Sequence, residues 1–188
     1  LDIIGGSIEM DRGVLDRMTA AFEHLLRNCV VHGIEAPAVR LAAEKESTGT
    51  ITIDLQQAGN DVSVNFRDDG AGLDLPRILE RAREHGLVPA GQVLTGDEAA
   101  NLIFMPGFTT AVEVTELAGR GIGMDVVRSE IATLGGRVEV STELGKGTRF
   151  VLTMPLTLAV AQAVLVRAGG RLWALPAPMV AQVQQVKA

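Results

Sequence analysis

The sequence predicts an α+β fold, a two-layer α/β sandwich in which helices cover one face of a mixed, mostly antiparallel sheet. Three observations predict it. Apolar residues recur at helical spacing over 11–32 and again over 121–134. Two pairs of alternating segments, TITIDLQ with DVSVNFRD and RVEVSTE with TRFVLTM, are each separated by a short turn-forming stretch. The order helix, helix, strand, strand, helix, irregular segment, helix, strand, strand fits one helical layer laid on one sheet.

The first helix is carried by Val14, Leu15, Met18, Phe22, Leu25, Leu26, Cys29 and Val30, and Gly33 followed by Pro37 ends it. Pro37 suits the first turn of a second helix that Gly49 stops. Strands at 50–56 and 61–68 form a hairpin around Ala58, Gly59 and Asn60. Residues 75–86 and 97–105 read as helical. The interval from Pro106 to Gly119 has Gly, Pro and a Thr pair without periodicity, which marks a mobile cover. Met124, Val127, Ile131 and Leu134 give the next helix an apolar face, and Gly135-Gly136 ends it. Pro155 closes this unit. The sequence divides into 1–157 and 158–188, the second part holding two strands around Gly169-Gly170 and reading as the opening of another domain.

A chain of 188 residues, 47% hydrophobic and 21% charged, holds one good-sized core and shows no compositional sign of disorder. A formal net charge of -6 argues against nucleic acid, whose phosphates call for a basic surface. No apolar run is long enough for a membrane span and no signal peptide is visible, so direct membrane insertion is not expected. The sequence begins at Leu1, as an excised piece of a longer protein would. The one cysteine, Cys29, lies among apolar helix residues and reads as a small buried hydrophobe; a cytoplasmic location follows from such usage.

Four motifs carry the chemistry, in the order HLLRNCVVHG at 24–33, DDGAG at 68–72, GRGIGMD at 119–125 and GKGT at 145–148. His24, Asn28 and His32 share one helix face, four residues apart. Asn28 there can offer a carbonyl oxygen to Mg²⁺, a hard cation that completes its shell with phosphates and water. An ordinary polar face, or a zinc site at His24, are the alternatives; no third ligand cluster favours zinc. Asp68 at a strand end can accept from the exocyclic amine of adenine, with Gly70 and Gly72 letting the backbone pass close to the base. The amides of Gly121 to Gly123 open a helix and suit phosphate. Thr148 stands on a strand edge where its hydroxyl can meet the base. The Rossmann fingerprint fails at Met124, and a P-loop fails at Val140 and Gly147. Taken singly each motif is an ordinary helix face or turn; in series they describe a pocket for ATP.

Together these residues resemble the GHKL superfamily, and within it the ATP-binding domain of CheA-type histidine kinases. The segments that carry the likeness are HLLRN and HGIE around Asn28, DDGAGLD, FMPGFTTA with GRGIGMDVVR, and GKGTRF followed by PLTLA. The resemblance implies the Bergerat fold with a flexible ATP lid, and ATP and Mg²⁺ as cofactors. By position it implies Asn28 as the metal ligand and Asp68 as the adenine reader. Gly70, Gly72, Gly119, Gly121, Gly123, Met124 and Thr148 are implied to line the pocket, and Phe104 and Phe108 to anchor the lid. His24, His32 and Arg27 would contact phosphate or orient the acceptor. The segment from Leu158 resembles the start of a CheW-like regulatory domain. The implied partners are a separate phosphotransfer domain bearing the acceptor histidine, a CheW-like adaptor, chemoreceptors and response regulators, with a homodimeric parent. The reading MTAAFEHLLRNCVVHG at the first helix is similar to the ChpA/PilL branch, which serves type IV pili and twitching motility.

His24 stands where gyrase-like relatives place a water-activating glutamate, four residues before Asn28. A neutral imidazole acceptor already carries a lone pair and needs no base, so a histidine-directed kinase is expected rather than a hydrolase. Glu23 points about 100° away on the helix and does not substitute. No acceptor is evident in the chain itself, His85 included, so self-phosphorylation is not expected.

Overall fold

The computed structural model describes residues 1–89, 91–108, 123–156, 163–176, 179–180 and 182. The chain divides into two compact units, Leu1–Thr157 and Leu158–Ala188.

In the first unit a short strand β1 (Asp2–Ile4) precedes helix α1 (Arg12–Asn28), helix α2 (Pro37–Ala42) and the hairpin of β2 (Ile51–Ala58) and β3 (Asp61–Asp68). Helices α3 (Leu75–Glu84) and α4 (Gly96–Asn101), the second continued by a 3₁₀ turn at Leu102–Phe104, come next. Helix α5 (Met124–Thr133) and the hairpin of β4 (Arg137–Glu143) and β5 (Gly147–Pro155) complete it. The five strands stand in the order β1-β2-β3-β5-β4, parallel between β1 and β2 and antiparallel elsewhere. This is the expected mixed, mostly antiparallel α+β arrangement.

Strand alternation sorts the sheet into two faces. Val62, Val64, Phe66 and Asp68 of β3, Thr148, Phe150, Leu152 and Met154 of β5, and Val140 of β4 are buried. Of the opposite parity, Arg67, Ser141 and Arg149 are exposed, while Asn65 is buried. Helix α1 presents Val14, Met18, Ala21 and Leu25 to the buried face, and Phe22 stacks obliquely on Phe66 at 5.2 Å between ring centres. Leu15 and Val30, expected in that stripe, are exposed. The buried stripe is narrower than the apolar pattern, because only every third or fourth residue can face one sheet.

Caps fix where the helices begin. Asp11 accepts from the N–H groups of Gly13 and Val14, Asp74 from Arg77, and Thr95 and Glu98 form a reciprocal capping box.

The single helix expected over 11–32 is in fact two. The α-helix ends at Asn28, and Cys29–Gly33 forms a π turn closed by Ile34 N–H donating to the Cys29 carbonyl at 2.8 Å. The wider turn brings the Gly33 carbonyl onto the Ala71 N–H at 2.8 Å, an anchor that α-helical geometry would aim elsewhere. The first hairpin also turns more tightly than expected: Ala58 pairs with Asp61, leaving only Gly59 and Asn60 in the loop. Of the expected helix at 97–105, Leu102–Phe104 winds as 3₁₀ and Met105 is extended.

In the second unit β6 (Ala163–Ala168) and β7 (Arg171–Pro176) form an antiparallel hairpin turned by Gly169 and Gly170, both at positive φ. Among the described residues no helix is long and apolar enough to cross a membrane.

Candidate functional site

Asp68 ends β3 on the helix-covered face and is 2% exposed. One carboxylate oxygen accepts from Gly70 N–H at 3.0 Å and from Thr148 N–H at 3.3 Å. Cys29, buried at the start of the π turn, neighbours this carboxylate. Burial still pushes the Asp68 carboxyl above the ordinary aspartate value, with the neighbouring Asp69 charge adding to the rise and the hydrogen bonds opposing it. Burial, followed by the Asp68 charge, pushes the Cys29 thiol up to about 12.

The glycines here answer to protein atoms. A Cβ on Gly70 would stand 2.0 Å from the Gly33 carbonyl oxygen, and one on Gly72 2.6 Å from that of Glu143. At Gly147, with φ at +108°, a Cβ would fall 2.0 Å from the Asp68 carbonyl oxygen. At these positions glycine lets distant chain segments close on one another beside Asp68. Thr142 braces the same junction, accepting from Leu73 N–H at 2.8 Å and donating to the Gly147 carbonyl at 3.1 Å. The Thr148 hydroxyl lies 3.5 Å from that of Thr142, so the firm contact from Thr148 to Asp68 is its backbone N–H.

One residue before Cys29, at the end of α1, the Asn28 amide nitrogen donates to the Met124 sulfur at 2.9 Å. Met124 opens α5, and Gly123 is its N-cap. His24, one turn earlier, is half-buried; burial and then the Arg27 charge hold its pKa below the ordinary histidine value, while Asp125 pulls the other way. Arg27 and His32 are exposed. Among the described residues no group of three or more His, Cys, Asp and Glu side chains could hold a metal, which leaves the zinc alternative without a ligand set.

Phe104 is buried edge-to-face on Phe150 at 6.4 Å, with the Arg128 guanidinium 5.8 Å above its ring. Phe108 is also buried. Asp125 accepts from Gly107 N–H at 3.3 Å, and a Cβ on Gly123 would be 3.9 Å from the Phe108 carbonyl oxygen. Phe108 and Gly123 therefore lie side by side. Gly119 and Gly121, and the cover from residue 109 to 119, fall outside the described residues.

A charged cluster that sequence reasoning missed braces the loop after Asp68. Arg40 is 1% exposed and donates to Glu35, to the Asp69 carboxylate at 2.9 Å, and to the carbonyls of Asp69 and Glu46. Lys45 donates to Glu35 at 2.7 Å and to the carbonyls of Asp69 and Gly70 at 2.9 and 2.8 Å. Thr50 N–H donates to the other Asp69 oxygen at 2.8 Å. Burial alone would raise the Glu35 and Asp69 pKa values. Hydrogen bonds from Lys45 at Glu35, and from Thr50 and Arg40 at Asp69, outweigh it and hold both below their ordinary values. In the sequence this stretch reads only as a second helix begun by Pro37, and nothing local marks its charges as partners of Asp69.

A buried carboxylate beside an amide-bearing helix end, under glycine-rich turns, is a geometry that known families can be tested against. Residues 13–158 match the family described as histidine kinase-, DNA gyrase B-, and HSP90-like ATPase. The chain belongs to this family. Within the family it is similar to chemotaxis protein CheA of Cereibacter sphaeroides, 44% identical over 172 residues, covering 92% of this chain and 25% of that protein. CheA of Salmonella typhimurium is 40% identical over 176 residues, covering 94% of this chain and 26% of that protein. The chain thus spans about a quarter of the curated relatives it matches. Among solved structures, the blue-light activated histidine kinase of Erythrobacter litoralis EL346 aligns with a TM-score of 0.45 and 14% identity, over 82% of this chain and 34% of that one. A likeness at that level carries no weight for function.

In this member of the histidine kinase-, gyrase B- and HSP90-like ATPase family, two chemically distinct ends meet through Cys29. Its backbone continues from Asn28 and its side chain neighbours Asp68. One end is a buried acceptor carboxylate. The other offers an amide and a helix start.

Proposed function

We propose that this chain is the ATP-binding catalytic domain of a CheA-like histidine kinase, passing the γ-phosphoryl group of ATP to a histidine on a separate phosphotransfer domain. The observation that carries the reading is Asp68, a buried carboxylate fixed by Gly70 and Thr148 at the end of β3. An acceptor-only group there suits the exocyclic amine of adenine and disfavours a purine with a carbonyl in that place.

The residues fit magnesium as a partner of ATP and not as an ion held by protein alone. With its nitrogen directed at the Met124 sulfur, Asn28 keeps its hard carbonyl oxygen as the end suited to Mg²⁺. Bound there, Mg²⁺ would offset charge on the phosphates. Gly123 and Met124 at the start of α5, with Gly119 and Gly121 before them, are assigned to the phosphates. Phe104 and Phe108 are assigned to anchoring the lid. His24, neutral near pH 7 because its pKa is lowered, aligns phosphate without acting as a water-activating base, and Arg27 and His32 assist by charge or orientation.

The second unit is assigned to the start of a CheW-like domain. The parent is assigned as a cytoplasmic homodimer working with an adaptor, chemoreceptors and response regulators, in the ChpA/PilL branch associated with type IV pili. Titrating the purified chain with a non-hydrolysable ATP analogue, with and without Mg²⁺, tests the nucleotide site. Adding a phosphotransfer domain and labelled ATP tests the reaction. No affinity for adenine nucleotides would overturn the reading; binding without transfer would leave a nucleotide-binding module only.

A further inference from the structure

The loop after Asp68 is held by a cluster of charged side chains. After Asp68 the next two peptide carbonyls, those of Asp69 and Gly70, both accept from Lys45, and the Asp69 carbonyl also accepts from Arg40. The Asp69 side chain is tied at both oxygens, to Arg40 and to Thr50 N–H. Glu35 completes the cluster by accepting from both cations, and it follows directly on the π turn and Ile34 that extend from Asn28. The cluster therefore joins the α1 exit to the peptide units that follow Asp68.

The peptide joining Asp69 to Gly70 has two roles at once. Its carbonyl, that of Asp69, is on Lys45 and Arg40, and its N–H, that of Gly70, is on the Asp68 carboxylate at 3.0 Å. Rotation of that peptide would take one donor from Asp68 and let its buried carboxylate change direction. A hydrogen bond to a base is steeply sensitive to direction, so a clamp on this peptide governs whether the carboxylate meets the base edge squarely. Breaking one arm leaves buried carbonyls seeking another donor, which favours a moved loop over an unchanged one.

We infer that Lys45, with Arg40 and Glu35, forms a positioning clamp that sets base discrimination at Asp68. The inference rests on the proposed nucleotide reading and adds a specificity role to residues outside the pocket. A purely structural contribution would weaken binding of every nucleotide alike. The clamp acts on the base-reading atom, so it changes the ratio between a purine bearing a 6-amino group and one bearing a 6-oxo group.

The test compares ADP with inosine diphosphate as displacers of a fluorescent adenine nucleotide from the wild-type chain and from Lys45→Met. Lys45→Met keeps the aliphatic stem and removes the donors. ADP is expected to lose about tenfold in affinity while inosine diphosphate changes less than about twofold, so the preference narrows by about the same tenfold. Glu35→Gln, which leaves an acceptor facing Lys45 and removes the charge, is the second variant should Lys45→Met fail to fold, and is expected to narrow the preference about threefold. An unchanged ratio in a folded variant, or an equal loss for both nucleotides, overturns the clamp and leaves the nucleotide site standing. Failure of the wild-type chain to bind ADP overturns both.

Discussion

The amide of Asn28 meets the sulfur of Met124 at 2.9 Å, joining residues 96 positions apart in the chain. The contact sets the end of α1 against the start of α5 and orients the polar group assigned to the metal. It also explains why a methionine stands where a dinucleotide fingerprint would need glycine. A long thioether reaches across to Asn28, and a bare backbone would not.

Asn28→Ala is expected to reduce phosphoryl transfer at least about a hundredfold while ADP binding without Mg²⁺ changes less than about threefold, because base recognition is assigned to Asp68. Single-turnover transfer from labelled ATP to a phosphotransfer domain checks this. Normal transfer would move the metal elsewhere.

Asp68→Asn should cost about 1.5–3 kcal/mol of adenine-nucleotide affinity, or roughly ten- to hundredfold, by losing the charged acceptor. The wild-type pH dependence follows from the raised pKa. Only the ionised carboxylate accepts fully, so ADP affinity is expected to fall on acidification at a pH above the ordinary aspartate value of 3.8. Calorimetric titration at a series of pH values reads both effects, and an affinity that held constant down to that value would remove Asp68 from the base contact.

Cys29 is expected to resist thiol reagents. It is 2% exposed and its pKa is pushed up to about 12, so little thiolate exists at pH 8. Labelling with a disulfide reagent should be at least about a hundredfold slower in the folded chain than after unfolding in urea. Rapid native labelling would show that the Cys29–Asp68 contact opens readily.

Gly147→Ala and Gly59→Ala should separate backbone strain from crowding. Both positions have positive φ, but only at Gly147 would the added Cβ meet protein, the Asp68 carbonyl oxygen at 2.0 Å. Gly59→Ala is expected to cost about 1 kcal/mol of unfolding free energy and Gly147→Ala about 3 kcal/mol or more. Urea denaturation followed by circular dichroism measures the pair. Equal losses would mean that the β4–β5 turn relaxes away from Asp68.

Stability against acid should carry two opposite contributions. Glu35 and Asp69 have lowered pKa values in the fold, so their stabilisation is complete above their ordinary values of 4.5 and 3.8 and is lost as pH falls toward their folded values. Asp68, with a raised pKa, loses stability as pH rises from 3.8 to its folded value. Replacing Asp69 by Asn should flatten the acid limb of the stability curve, and replacing Asp68 by Asn should remove the opposing slope. Chemical denaturation between pH 3 and 7 measures both, and a profile insensitive to Asp69 would show that its ion pair is screened.

The hairpin strands and most helix starts were legible because they rest on local chemistry, whereas β1, at Asp2–Ile4, was not expected. Alternation marks β3 and β5, and Asp74 and Thr95 supply caps to the helices that follow them. The end of α1 was not legible. Nothing in CVVHG distinguishes a π turn from another α turn, and the choice depends on the Gly33 carbonyl meeting Ala71 from a distant loop. The same separation hid Arg40 and Lys45, whose charges look solvated until Asp69 is brought beside them.

By itself, the sequence determined the layer order, the two hairpins and the residue types able to serve a nucleotide, since periodicity, turn residues and capping act between near neighbours. Tertiary structure alone decided that Asp68 is buried and braced, that Gly70 and Gly147 yield to backbone atoms, and that two cations hold the loop after Asp68. Each of these depends on atoms brought within about 3 Å from segments far apart in the chain, a distance that no local pattern encodes.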